Sequence, residues 1–158
     1  MGFDFRVGEA IIDHQQEDYL CSIDVKKVNV KEAPIFNKYW GQTNKIHVSY
    51  GGWKEICRFI RLEDLFYDTD ADYCLLQSHP GCVPITPFHL TVLNNRYSEY
   101  LVRCPSAIPT FGNINKTNML EGDKSNPIEN NMLCWLVWLI FWFKWALNNC
   151  ERPVFCNS

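Results

Sequence analysis

The stretch Met132–Leu147, MLCWLVWLIFWFKWAL, limits what this chain can fold into more than any other part of it. At 3.6 residues per turn, Trp135, Trp138, Trp142 and Trp145 fall at i, i+3, i+7 and i+10 and form one stripe. Met132, Leu136, Leu139, Ile140, Phe143 and Leu147 form a second stripe beside it. Lys144, Asn148 and the small side of Val137 are left for solvent, so more than half of the circumference needs cover. Each buried Trp or Phe contributes about 1.5–3 kcal/mol, which makes this helix the expected keystone of a core.

A membrane span fits the same residues poorly. The uninterrupted apolar run from Met132 to Phe143 is twelve residues, whereas a spanning helix needs about 20. Its flanks, Asn130-Asn131 and Asn148-Asn149, carry no basic cluster that would set an orientation. The Trp stripe also has the geometry of a homodimer seam, but a one-domain core accounts for it with fewer assumptions.

A chain of 158 residues fits one domain over residues 1–158, strand-rich over 1–50 and helical over 53–150. Its hydrophobic content of 47% supports a dense core without crosslinks. A net charge of −3 gives no electrostatic reason to expect nucleic acid or an anionic membrane as partner. The start MGFDFRVGEA places acids where a secretory leader needs basic residues and then an apolar run. The expectation is therefore a cytoplasmic protein whose eight cysteines are reduced. No CxxC pair is present, and Cys57 and Cys134 occupy apolar periodic positions where a thiol acts as a small hydrophobe.

Along the chain, Phe3–Val7 alternates Phe3, Phe5 and Val7 against Asp4 and Arg6, which predicts a strand. Residues Gly8–Asp18 are read as a turn or one short helix. Asp18–Val30 alternates again, with a phase shift near Lys26-Lys27 that suggests a bulge or two short strands. Ala33–Gly52 is a polar and aromatic loop, with a short strand at Ile46–Tyr50. From Trp53 to Phe66 the period turns helical. Thr86 as N-cap and Pro87 at the first helical position predict a helix that Pro105 ends. Ser106–Asn131 is read as a long loop before the Trp-rich helix. Strands first and helices later give an α+β class. The expected architecture is a small, mainly antiparallel sheet from the N-terminal third, packed by about three helices.

Chemistry has few places to sit. His79-Pro80-Gly81-Cys82 puts a loop histidine near a thiol, and His89 enters the next helix, so these three are the weak catalytic candidates. The competing reading is a plain turn at Pro80-Gly81 and a buried His89 bonded to backbone. No HxH, HExxH or HxxxH spacing, phosphate-binding loop or GxSxG motif occurs, and DTDAD lacks the glycine and distal Glu of a calcium loop. No metal or cofactor is expected. The better binding candidates are Tyr39, Trp40, Asn44, His47 and Tyr50 with His79, since flat rings and amides line pockets and supply contact hot spots. Against that, Trp40 and Tyr50 could simply pack under their loop.

The leading functional expectation is a binding protein without an evident catalytic signature, whose partner is another protein. The alternative is a binder of a planar or sugar-like small molecule, or a Cys/His-dependent enzyme, with a pocket between residues 33–53 and 79–89. That pocket requires His47, Tyr50, His79 and His89 to converge.

Overall fold

A computed structural model of the chain describes residues 1–11, 24–34, 43–108 and 127–158. The part of the alternating Asp18–Val30 segment before Asp24 and the loop residues Tyr39 and Trp40 lie outside the described residues. The architecture is α+β. Strands β1 (Gly2–Ile11), β2 (Asp24–Val25) and β3 (Lys45–Ser49) come first. Helices α1 (Tyr50–Ile60) and α2 (Glu63–Tyr67), strand β4 (Gly81–Pro84), helix α3 (Pro87–Arg103), the long α4 (Pro127–Asn149) and strand β5 (Pro153–Asn157) follow. The sheet is antiparallel in the order β2-β1-β5-β4, and β3 lies along the first half of β1 on the side that β2 takes along the second.

The alternation in β1 does what its residues dictate. Phe3, Phe5 and Val7 are buried toward the helices while Asp4 is exposed. The strand does not stop at Val7, however, but runs on to Ile11. Gly8 makes this possible. Its φ is +155°, and a Cβ there would lie 3.2 Å from both the Asn44 amide nitrogen and Val25. The remaining residues then pair Ala10 with Val25 and Glu9 with Pro153.

The centre of the sheet is not drawn only from the first third. Strand β5, the chain's tail, lies between β1 and β4, with Val7 opposite Phe155 and Cys82 opposite Cys156. This register brings two sulfurs together: Cys82 and Cys156 are disulfide-bonded, with Cα atoms 4.0 Å apart. The expectation that all cysteines are reduced is corrected at this pair. The bridge spans 74 residues, so no local spacing announces it. It sits in a small cluster with Val25 and Val154, away from the main core to which Phe155 belongs. Cys57, Cys74, Cys104 and Cys134 are buried thiols and Cys150 is half-buried. Burial, with nearby Glu9, pushes the Cys150 thiol up to about 11.

Helix α4 is the keystone expected of it. Trp135, Trp138, Trp142, Leu136, Leu139 and Phe143 are all buried, Trp145 is half-buried, and Lys144 and Asn148 face out. Trp135 meets Trp53 of α1 at 5.4 Å between ring centroids, and Phe143 meets Phe155 at 5.9 Å. Its first turn begins at Pro127, inside the segment read as loop. That turn is tied down from α3 and the segment after it: the Tyr100 hydroxyl donates to the Glu129 carbonyl at 2.6 Å, and Asn130 Oδ1 accepts the Ile108 N–H at 2.8 Å. Among the described residues no helix is long and apolar enough to cross a membrane.

Helix α1 starts at Ser49, whose Oγ accepts the Gly52 N–H, and ends at Arg61, which has φ 59° and ψ 48°. This left-handed turn returns the Leu62 N–H to the Cys57 carbonyl at 2.8 Å and buries Leu62. Arg96 braces it, donating from Nε to the Arg61 carbonyl and from Nη2 to Asp64. A residue with a Cβ is strained there. Arg61→Gly is therefore expected to raise stability by about 0.5–1 kcal/mol, net of the freedom glycine adds to the unfolded chain. Thermal denaturation of the two proteins measures the difference, and a lower midpoint in the variant would contradict it.

Candidate functional site

Two of the expected site residues meet at one corner of the molecule. Tyr50 is the first residue of α1 and reaches it directly from β3. His79 comes from the turn that feeds β4, where the His79-Pro80 peptide is cis. The Tyr50 hydroxyl lies 2.8 Å from His79 Nε2. Both side chains are exposed, Tyr50 to 37%.

Behind them stands Asn157 of β5, only 2% exposed. Its Nδ2 donates to the carbonyls of Ser78, at 3.0 Å, and Gly81, at 3.3 Å. Two carbonyls can only accept, so the amide orientation is determined and Oδ1 must face His79 Nδ1, 2.6 Å away. That nitrogen therefore carries the proton. In the neutral ring Nε2 is then a lone pair, and Tyr50 donates to it. Gly81 keeps the turn tight enough for this, since a Cβ there would collide with Ser78 Oγ. Phe3 completes the corner. Its ring centroid is 4.6 Å from Tyr50 and 5.0 Å from His79, edge-on to both.

The other candidates do not join them. His47 pairs with Asp4 at 2.8 Å, and both are exposed. Its strand neighbours Ile46 and Val48 face the helices, so His47 projects from the opposite side of the sheet. Asn44 is fully buried and its amide is used within the fold. Nδ2 donates to the carbonyls of Val7 and Lys26 at 2.8 and 2.9 Å, and Oδ1 accepts the Val28 N–H at 3.1 Å. The Cys82 sulfur is bonded to Cys156 and is not a thiolate nucleophile. Tyr39 and Trp40 lie outside the described residues. Among the described residues no group of three or more His, Cys, Asp or Glu side chains could hold a metal.

His89 is 1% exposed and occupies the third position of α3. Its Nδ1 accepts the Thr86 backbone N–H at 3.0 Å, closing the capping box, and its Nε2 donates to the Tyr73 carbonyl at 2.8 Å. Only the neutral ring does both. Burial pushes its pKa below the usual imidazole value, although the two backbone contacts pull the other way. Above about pH 6.5 folded and unfolded chains both hold a neutral ring, and there is no contribution to pH dependence. As pH falls through that value the unfolded chain binds a proton that the folded chain does not. Stability is thus expected to drop on acidification, until the folded ring is protonated as well. His89→Gln preserves a capping side chain without titrating. Urea denaturation at pH 7.5 and pH 5 should show a smaller loss in this variant than in the wild type; equal losses would refute the assignment.

Sequence reasoning brought Tyr50 and His79 forward but missed Asn157 and Phe3. Neither carries a local signal: Asn157 is an ordinary amide near the end of the tail, and Phe3 is one of the alternating core residues of β1. In comparisons with protein families, with curated proteins and with solved structures, nothing matches this chain.

Proposed function

We propose that this protein works by binding another protein, with the Tyr50–His79 corner as its contact surface. One observation carries the reading. Two exposed rings from distant segments are held in a single arrangement by Asn157 and Phe3 behind them. Such rings lose little freedom on binding, and tyrosine is enriched among residues that dominate contact energies. With its O–H donating to His79, the Tyr50 oxygen retains lone pairs that accept an N–H from a partner.

A second reading rests on the same convergence. It is a small molecule held at this corner by Tyr50 and His79 alone, since His47 faces the other side of the sheet and His89 is buried in the cap of α3. The two are separated by placing a photo-crosslinking side chain at position 50, and at exposed Phe59 as control, in the producing cell. A polypeptide adduct from position 50 and none from 59 supports the partner reading. A small molecule retained in native mass spectrometry and lost in His79→Ala supports the pocket. No polypeptide adduct at position 50 and no retained small molecule would together overturn the corner as a binding surface.

A further inference from the structure

We propose that Tyr50 is a base-activated nucleophile able to accept an acyl group from an activated ester, with His79 as its base and Asn157 as the positioning residue. The argument is geometric. A phenol is a weak nucleophile until a base stands within hydrogen-bond reach of its proton, and a useful base is itself oriented by a third group. Here the phenol lies 2.8 Å from a ring nitrogen, the other ring nitrogen lies 2.6 Å from Asn157 Oδ1, and the Asn157 amide is locked by two backbone carbonyls. The order of parts, nucleophile then imidazole then orienting amide, is one that recurs for acyl transfer on unrelated folds.

Stability gives the fold little reason to build this. A hydrogen bond between two exposed side chains contributes little to folding, so Tyr50–His79 is not explained as a fastener. The buried part of the network does hold the turn before β4, but that part needs Asn157 and the carbonyls alone. Tyr50 is exposed, and the ring packed against it, Phe3, carries no charge. A phosphoryl donor calls for a cationic clamp.

In the step, the Tyr50 oxygen attacks the ester carbonyl carbon while its proton passes to His79 Nε2. A bond forms between the phenolic oxygen and the acyl carbon. The bond from that carbon to the leaving oxygen breaks, the leaving group departs as an oxyanion with the electron pair, and His79 returns its proton to solvent. Tyr50 ends as an aryl ester, with no change of oxidation state.

The test uses the full chain and p-nitrophenyl acetate, so it is independent of the partner reading, which needs a macromolecule. Release of p-nitrophenolate is followed by absorbance, and the acetyl group is located by peptide mass mapping. Tyr50 should be acetylated at least about tenfold faster than free N-acetyltyrosinamide under the same conditions, a threshold set below the roughly 100-fold low end of what a positioned base supplies. His79→Gln should bring that rate down to the level of the free compound, and Tyr50→Phe should abolish the adduct at position 50. Acetylation of Tyr50 no faster than the free phenol would overturn the proposal. So would acetylation confined to His79, which would make the imidazole the nucleophile. Both of these are read in the wild-type chain, so a variant that fails to fold does not shelter the proposal.

Discussion

Trp142→Ala is expected to cost about 3–5 kcal/mol, the range for emptying a large aromatic site in a core that relaxes only in part. Trp142 is fully buried, packs edge-on against Phe141 and Trp145, and belongs to the cluster that joins α4 to the sheet and to α1. A domain of this size has about 5–15 kcal/mol in total, so the variant should sit near the edge of folding. Trp142→Phe provides the internal contrast. The indole Nε1 is buried with no hydrogen-bond partner among the described residues, so the smaller ring leaves a modest void but also removes that unpaired donor. Its cost should be near 1 kcal/mol. Urea denaturation followed by far-ultraviolet circular dichroism gives both values without relying on the removed fluorophore. If the alanine variant lost less than about 1 kcal/mol, α4 would not be the keystone argued for above.

Asn44→Ala should cost about 2–4 kcal/mol although it removes far fewer atoms. Its amide alone satisfies three backbone groups, the carbonyls of Val7 and Lys26 and the N–H of Val28, where β1 crosses the segment after β2. Alanine leaves all three seeking partners. Asn44→Asp should fare no better, because a carboxylate would face two carbonyl oxygens in place of the donating amide. His47→Ala, three residues away, breaks a pair that is exposed on both sides and should change stability by less than about 0.5 kcal/mol. Hydrogen exchange gives a second readout: in Asn44→Ala the Val28 amide should lose protection while amides in α4 keep theirs, relative to global stability. A neutral Asn44→Ala would mean the buried amide is not the pin that its contacts describe.

Both predictions start from residues that were prominent in the sequence for different reasons. Trp142 was read correctly because helical periodicity is written in neighbouring residues, and burial follows directly from the stripe. The same holds for Thr86 and Pro87 at the start of α3 and for the alternation of Phe3, Phe5 and Val7. In the sequence Asn44 reads as a ligand contact because a polar side chain in a loop looks available. Whether it faces solvent or three backbone groups depends on where β1 and residues 26–28 lie, and no local pattern carries that.

The sequence alone therefore determined the class of fold, the existence and type of its best elements, and which face of α4 needs cover. These follow from short-range periodicity, capping chemistry and the cost of leaving apolar surface in water. Only the tertiary structure decided that the tail becomes β5 between β1 and β4, that Cys82 meets Cys156, and that Tyr50, His79, Asn157 and Phe3 share a corner. Each of these is a pairing between residues far apart in the chain, and strand register is set by the summed burial and hydrogen bonding of whole elements. A five-residue segment such as Pro153–Asn157 is too short to announce a strand, and its partners are chosen by the rest of the fold.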